Sequence, residues 1–243
     1  MKTFMFKKTY TLMAAVVAVL FFTSCDKKLH KEGNGVIIST ERSVGSFTSL
    51  DADGKFVIRT HYSTNPHLVI TTDDNLISEV QTFVQDGKLH LQMNDDYLTY
   101  DFTKLEVDVY TSTWTQMDLD GQVEIDVLDT IEGSVLVVNH YGRGNADILF
   151  HGDQLSLRVN GSADIVSSGT SASVSYYING EGKISALNQL STVADAHING
   201  TGKIYVNCTD QLDATIDGNG DIYYTGSPSV TTEIHGTGSV QQY

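Results

Sequence analysis

The chain has 243 residues, 40% of them hydrophobic, with 21 glycines and only 2 prolines; 15 Lys and Arg against 30 Asp and Glu give a formal charge of −15. Residues 1–24 hold three lysines and no acid, so beyond them 12 basic residues face 30 acidic ones. Such a balance repels phosphate backbones and argues against nucleic acid as a partner, while the composition argues against disorder and collagen and the length allows one or two domains with a real core.

The first segment reads as an export signal. Lys2, Lys7 and Lys8 precede an apolar run from Thr11 to Phe22. That run is shorter than the ~20 residues a membrane-spanning helix needs, but it has the length of a signal-peptide core. It ends in Phe22-Thr23-Ser24-Cys25, which resembles a bacterial lipobox. By that resemblance cleavage falls before Cys25, whose thiol takes a diacylglycerol and whose amine is acylated, and two or more acyl chains (palmitate among them) hold a protein stably on a membrane. Residues 25–34 then form a short polar tether. Cys208 is left as the sole remaining thiol, so no intramolecular disulfide is available, and its place in Ile204-Tyr205-Val206-Asn207-Cys208-Thr209 predicts a half-buried structural residue.

From residue 35 to about 114 the pattern is irregular but mostly β. Alternating or β-rich runs lie at 36–40, 55–62, 67–72, 88–93 and 105–110. One segment departs from it: Asp73 and Asp74 can cap a helix, and Leu76, Ile77, Val80, Phe83 and Val84 follow at helical spacing until Asp86-Gly87. This predicts a single short helix packed over an all-β body. Gly54-Lys55-Phe56-Val57-Ile58 looks like an outlying copy of the repeat that follows, and no linker separates the halves, so 35–243 reads as one domain with a soft boundary near Trp114.

Residues 115–243 are repetitive. A unit Gly-x-x-x-Ile/Val recurs at 121–125, 144–148, 161–165, 180–184, 200–204, 218–222 and 236–240, with steps of 23, 17, 19, 20, 18 and 18 residues. Asp120, Asn160, Asn179, Asn199 and Asp217 precede five of these glycines, and Asn or Asp followed by Gly marks a sharp corner because both tolerate left-handed backbone angles. Corners at near-constant spacing suit a parallel β-helix, or solenoid, of about 19-residue coils better than hairpins, with an antiparallel meander as the alternative. Parallel stacking puts Asn160, Asn179 and Asn199 in a ladder and Ile165, Ile184, Ile204 and Ile222 in a buried stripe. Only Gln241, Gln242 and Tyr243 follow Val240, too few to cap a last coil, and open strand edges invite strand addition, so the C-terminal coil is a candidate surface for a homo-oligomer.

No metal-ligand, nucleophile or phosphate-cradling motif is present, which leaves no cofactor or metal to expect. Among eight scattered histidines, His140 and His151 flank the longest coil, where Tyr141, Arg143 and Asp147 also lie. Asp147, Asp164 and Asp221 beside Arg143 or Lys183 are the carboxylates a polysaccharide-cleaving β-helix would use. Tyrosines offer a binding surface instead: Tyr205, Tyr223 and Tyr224 fall on successive coils, and Tyr97, Tyr100 and Tyr110 lie near Trp114.

The lipobox, the Asp53-Gly54 segment, Asp86-Gly87-Lys88-Leu89 and the repeated Asn/Asp-Gly-x-Gly-x-Ile units together resemble the family called putative auto-transporter adhesin, head GIN domain, over roughly residues 40–240. The resemblance implies a right-handed β-helix on a cell-envelope lipoprotein of a Bacteroidetes-type bacterium, at the outer membrane on its periplasmic or outer face, and it carries no catalytic residues. The units at Gly121, Gly144 and Gly161 depart from the pattern in lacking a second glycine. Asp129-Thr130-Ile131 also resembles the acidic-Thr-apolar site at which such bacteria O-glycosylate exported proteins, at Thr130 here. The expected function is therefore a non-catalytic, lipid-anchored adhesin or assembly module with a protein or glycan ligand, the alternative being a β-helical protein that binds or cleaves carbohydrate.

Overall fold

The computed structural model describes residues 28–243; the leader and Cys25 lie outside the described residues. In chain order the strands are β1 (Lys28–Glu32), β2 (Ile37–Ser43), β3 (Ser49–Tyr62), β4 (His67–Asp73), β5 (Val80–Gln85), β6 (Lys88–Met93), β7 (Tyr97–Asp101) and β8 (Leu105–Thr111). There follow β9 (Gln116–Val127), β10 (Ile131–Arg143), β11 (Asn145–Gly161), β12 (Asp164–Gly180), β13 (Lys183–Gly200), β14 (Lys203–Gly218), β15 (Asp221–Thr225), β16 (Ser229–Gly236) and β17 (Ser239–Gln242). The fold is all-β, a solenoid of about seven turns spaced about 19 residues apart.

Parallel, in-register pairing builds the solenoid. Each coil runs into a glycine, turns, and runs out again, so that Gly54, Gly121, Gly142, Gly161, Gly180, Gly200, Gly218 and Gly236 stack in one column. All eight have φ between +92° and +152°, a region L side chains rarely enter. Alternation then sorts the rest. Ile58, Ile125, Ala146, Ile165, Ile184, Ile204, Ile222 and Val240 form one inward column, as the sequence predicted for Ile165, Ile184, Ile204 and Ile222. Leu50, Met117, Val138, Leu157, Tyr176, Ala196 and Ala214 form another, in which the two alanines give the Tyr176 ring room.

This register corrects the repeat at one place. The apolar position of the coil that follows β9 is Ala146, not Ile148, because Gly142 takes the corner and Gly144 is that unit's second glycine, against Val123 and Ala163 in the neighbouring coils. Gly-Arg-Gly offers two glycines two residues apart, and the wrong one preserves strand parity, which is why sequence alone chose it. With Ala146 in place the spacing from Ile125 becomes 21, 19, 19, 20, 18 and 18.

The expected helix is absent: no helix occurs among the described residues, and residues 74–79 are turn. Val80, Phe83 and Val84 belong to a hairpin of β5 and β6, closed by Asp86 (φ 52°) and Gly87 (φ 74°), two positive values in sequence as a tight hairpin turn demands. Asp73 caps nothing because its carboxylate is used elsewhere, accepting from Gly35 N (2.7 Å) and Thr103 N (2.9 Å). Arg42 fixes the turn by donating to Ile77 O, Val80 O and Thr82 Oγ1.

The N-terminal half closes one end of the solenoid. β6 lies parallel on the first half of β3 and β8 on its second half, while β4 and β2 extend the β8 side antiparallel. β3 itself pairs with β9 over twelve positions, so the outlying repeat copy at Gly54 is the first coil, separated from the second by the cap. Part of the expected tether is ordered too: β1 pairs with β7, and Lys31 Nζ meets Glu79 Oε1 at 2.5 Å.

Two expected outcomes follow. A Cβ on Gly180 would lie 2.4 Å from the carbonyl oxygen of Gly161, whereas one on Gly133 meets nothing within 4 Å. Gly180→Ala should therefore lower the unfolding free energy by about 3 kcal/mol in urea titrations, and Gly133→Ala should leave it nearly unchanged. Asp73 is fully buried; burial alone would raise its pKa, but the hydrogen bonds from Gly35, Thr103 and Lys104 outweigh this and hold it below its ordinary value. The contribution is present above the unfolded carboxylate pKa of about 3.9 and is lost as pH falls through the depressed folded value. Asp73→Asn should cost about 2 kcal/mol at pH 7 and flatten the acid limb of a stability–pH curve.

Candidate functional site

In-register stacking turns each outward position into a ladder running along the solenoid. Before the glycine corner, Asn160, Asn179 and Asn199 form the predicted ladder: Asn179 Nδ2 donates to Asn160 Oδ1 (3.4 Å) and Asn199 Nδ2 to Asn179 Oδ1 (3.3 Å). Two residues earlier, Arg158 lies over the Tyr177 ring at 5.4 Å, and Tyr177 meets His197 edge-on at 4.9 Å. His197 Nε2 reaches Asp217 Oδ2 at 3.1 Å, and His235 Nδ1 reaches its other oxygen at 2.9 Å. The bond from His235, then that from His197, holds the Asp217 carboxyl below its ordinary pKa.

After the corner, one outward column runs Arg59, Asp126, Asp147, Val166, Ser185, Tyr205, Tyr223, Gln241. The rings of Tyr205 and Tyr223 stack at 5.0 Å and 15°. Tyr243 stands edge-on to both, at 5.8 and 6.4 Å, held by its N–H donating to Tyr224 O at 2.7 Å. Tyr224 takes the other parity, opposite Val206, and packs against the core. Of the three tyrosines read from the sequence, two therefore share a surface and the third lies behind it. Tyr243 completes the surface; sequence reasoning missed it, although it directly follows Gln242, the residue one coil beyond Tyr224. Beside these rings Val166, Lys183, Ser185, Leu187 and Asn188 line a shallow depression of about 340 Å³. It sits where three extra residues of β13, Leu187 to Gln189, shift the register against β14 after Ala186.

The other candidates stay apart. His140 is fully buried, with Nε2 donating to Val123 O at 2.9 Å and Nδ1 without a partner among the described residues, and burial lowers its pKa. His151 is exposed against Thr170 Oγ1, and Tyr141, Arg143 and Asp147 point outward, so that coil gathers no imidazole, guanidinium and carboxylate. Asp164 pairs with Lys183 at 3.2 Å, Asp221 accepts from Ser239 Oγ at 2.7 Å, and Asp147 belongs to a different column. Among the described residues no three His, Cys, Asp or Glu side chains cluster as metal ligands. Cys208 is wholly buried rather than half-buried, with Sγ near Thr192 O and Gln211 O.

The N-terminal aromatics also divide. Tyr97 and Tyr100 pack with Phe102, Tyr110 is sandwiched between His61 (4.5 Å) and His67 (4.1 Å), and Trp114 is buried edge-on to Phe47 at 5.7 Å. Thr130 is exposed on the loop between β9 and β10, at the mouth of a pocket of about 320 Å³ that Trp114 and His61 also line.

Solved structures share this architecture. A putative adhesin from Bacteroides fragilis is 23% identical, with a TM-score of 0.79 over 88% of this chain and all of that one. Another putative adhesin, from Parabacteroides merdae, is 24% identical, with a TM-score of 0.71 over 88% of this chain and 99% of that one. A protein from Parabacteroides distasonis described as a putative lipid binding protein is 22% identical, with a TM-score of 0.74 over 88% and 99%. No curated protein matches the chain. The model of the family described as putative auto-transporter adhesin, head GIN domain, matches residues 46–228, three quarters of the chain, and the protein belongs to that family.

Proposed function

We propose that the protein is a non-catalytic, lipid-anchored adhesin of the bacterial cell envelope whose stacked tyrosines and flanking ladders bind a glycan. The observation that carries the reading is the Tyr205–Tyr223–Tyr243 cluster: stacked and edge-on rings beside a shallow depression that mixes Val166 and Leu187 with Lys183, Ser185 and Asn188 suit the apolar face of a sugar and its hydroxyls at once. The separation of Asp147, Asp164 and Asp221 favours binding over cleavage. Attachment through Cys25 agrees with the polarity of the molecule. β1, which begins three residues later, docks on the capped end, while Tyr223 stands six coil steps from β3, or roughly 30 Å at ~4.8 Å per step. An anchor at one end and the ring cluster near the other present the rings outward. Exposure of Thr130 on its loop supports O-glycosylation there.

A glycan array probed with residues 26–243, with and without Ca²⁺, tests the reading. Saturable binding without product release is expected. Tyr205→Ala with Tyr223→Ala should weaken it at least tenfold, since each ring contributes about 1 kcal/mol beyond its buried area. A blank array, or binding indifferent to both substitutions, overturns the proposal.

A further inference from the structure

A second concavity lies at the other end of the molecule, where the cap meets the first coils. Three segments far apart in sequence build it: the end of β3 (60–62), the link from β8 to β9 (111–114) and the loop from β9 to β10 (129–132). They are tied before any ligand arrives. Tyr62 N donates to Asp129 Oδ2 (2.8 Å), Leu128 N to Thr60 O (3.2 Å), and Ser63 N to Thr111 O (3.0 Å). Thr111 Oγ1 in turn donates to Phe47 O at 3.0 Å, anchoring the link on the core. A cavity of about 320 Å³ between pre-tied walls lies at the small end of ligand-site volumes and suits a single sugar ring.

The lining is rich in unused hydrogen-bonding capacity. The hydroxyls of Thr60, Ser112 and Thr113, the Glu132 carboxylate and Asp129 Oδ1 have no partner among the described residues. Thr60 is buried in the wall between the exposed members of the lining. Ser112, Thr113, Asp129 and Glu132 are exposed to the cavity, so their hydroxyls and carboxylate oxygens are open to a ligand that both donates and accepts hydrogen bonds. Apolar surface completes the set: Trp114 and Ile131 lie at the base, and Tyr62, 63% exposed, offers its ring at the rim. No Lys or Arg lines the cavity, and His61 is held by Asp108 at 2.9 Å. Two carboxylates without a cation repel phosphate, uronate or sialate and favour hydroxyl donors.

We propose that this pocket binds one unit of a neutral sugar, its ring against Tyr62 and its hydroxyls shared among Thr113, Asp129 and Glu132. The inference stands on the pocket and is independent of the tyrosine cluster near the last coils. Trp114 is the chain's single tryptophan, so its emission reports on this pocket alone.

The whole chain, extracted in a detergent without a sugar headgroup, is titrated with methyl glycosides of mannose, galactose, glucose and N-acetylglucosamine, and with glucuronic acid as the anionic counterpart. A saturable change in Trp114 emission at millimolar or lower concentration of at least one neutral glycoside is expected, with glucuronic acid at least tenfold weaker. Tyr62→Ala should weaken binding about tenfold and Thr113→Val about fivefold, each with the parent's urea midpoint, since both residues lie at exposed positions. Silence of Trp114 toward every neutral glycoside overturns the proposal, as does a response that survives both substitutions or one that favours the anion. Array binding lost through Tyr205→Ala and Tyr223→Ala, with Trp114 silent, overturns the pocket and leaves the adhesin reading intact; a Trp114 response with a blank array does the reverse.

Discussion

The structure depends on how closely one backbone passes over another at the glycine column. At Gly142, Gly161, Gly180, Gly200, Gly218 and Gly236 an added Cβ would lie 1.9 to 2.4 Å from the carbonyl oxygen of the glycine one coil below, a distance no side chain can occupy. The same approach lets Ser162, Glu181, Thr201, Asn219 and Thr237 donate their N–H groups to the carbonyls of Gly142, Gly161, Gly180, Gly200 and Gly218, at 2.8 to 3.1 Å, so the corner stays hydrogen-bonded from coil to coil. Glycine is needed once per turn, the turns must stack in register, and in-register stacking decides everything about the outer surface.

Register makes neighbours of like residues, and the outcome depends on what is repeated. Asparagine gains, because each amide both donates and accepts along the ladder. Aspartate loses. Burial and then Asp120 and Asp51 raise the pKa of Asp53; burial and then Asp126 raise that of Asp147; burial, opposed by His197, and then Asp213 raise that of Asp195. A folded carboxyl whose pKa is raised binds its proton more readily than in the unfolded chain, so these columns weaken the fold at neutral pH and are relieved on mild acidification. Other carboxylates find partners: Lys88 meets Asp118 at 2.8 Å, Lys183 meets Asp164, and His197 and His235 both hydrogen-bond to Asp217.

What the sequence reveals follows from the same geometry. Period, corner residues and the isoleucine stripe are local and repeated, so they are legible from Gly161 onward, and even Gly54 is recognisable as a copy. The mistaken helix arose because Leu76, Ile77, Val80, Phe83 and Val84 satisfy a helical spacing while Val80 and Val84 also satisfy strand alternation; Asp86-Gly87, a strong hairpin turn, was the better guide. At Gly142 and Gly144 two glycines kept the same parity and only pairing could separate them. Tyr223 and Tyr224 are adjacent in sequence, and alternation alone sends one out and the other in. The cap pocket had no signal at all, since Tyr62, Trp114 and Asp129 meet only after the cap has folded over β3.

A perfect solenoid is a poor builder of sites, since every coil repeats the directions of the coil beneath and leaves a flat, laddered wall. Concavities need an interruption of the repeat, and both candidate sites sit at one. The depression beside Tyr205 coincides with the register shift after Ala186, where Leu187 and Asn188 bulge from the ladder. The cap pocket coincides with residues 128–130, which leave the ladder between β9 and β10, and with the 53-residue excursion between β3 and β9. The regular coils between them supply rigidity and distance. On this architecture binding specificity is carried by the irregular segments, and the repeats set how far apart, and in which direction, those segments are held.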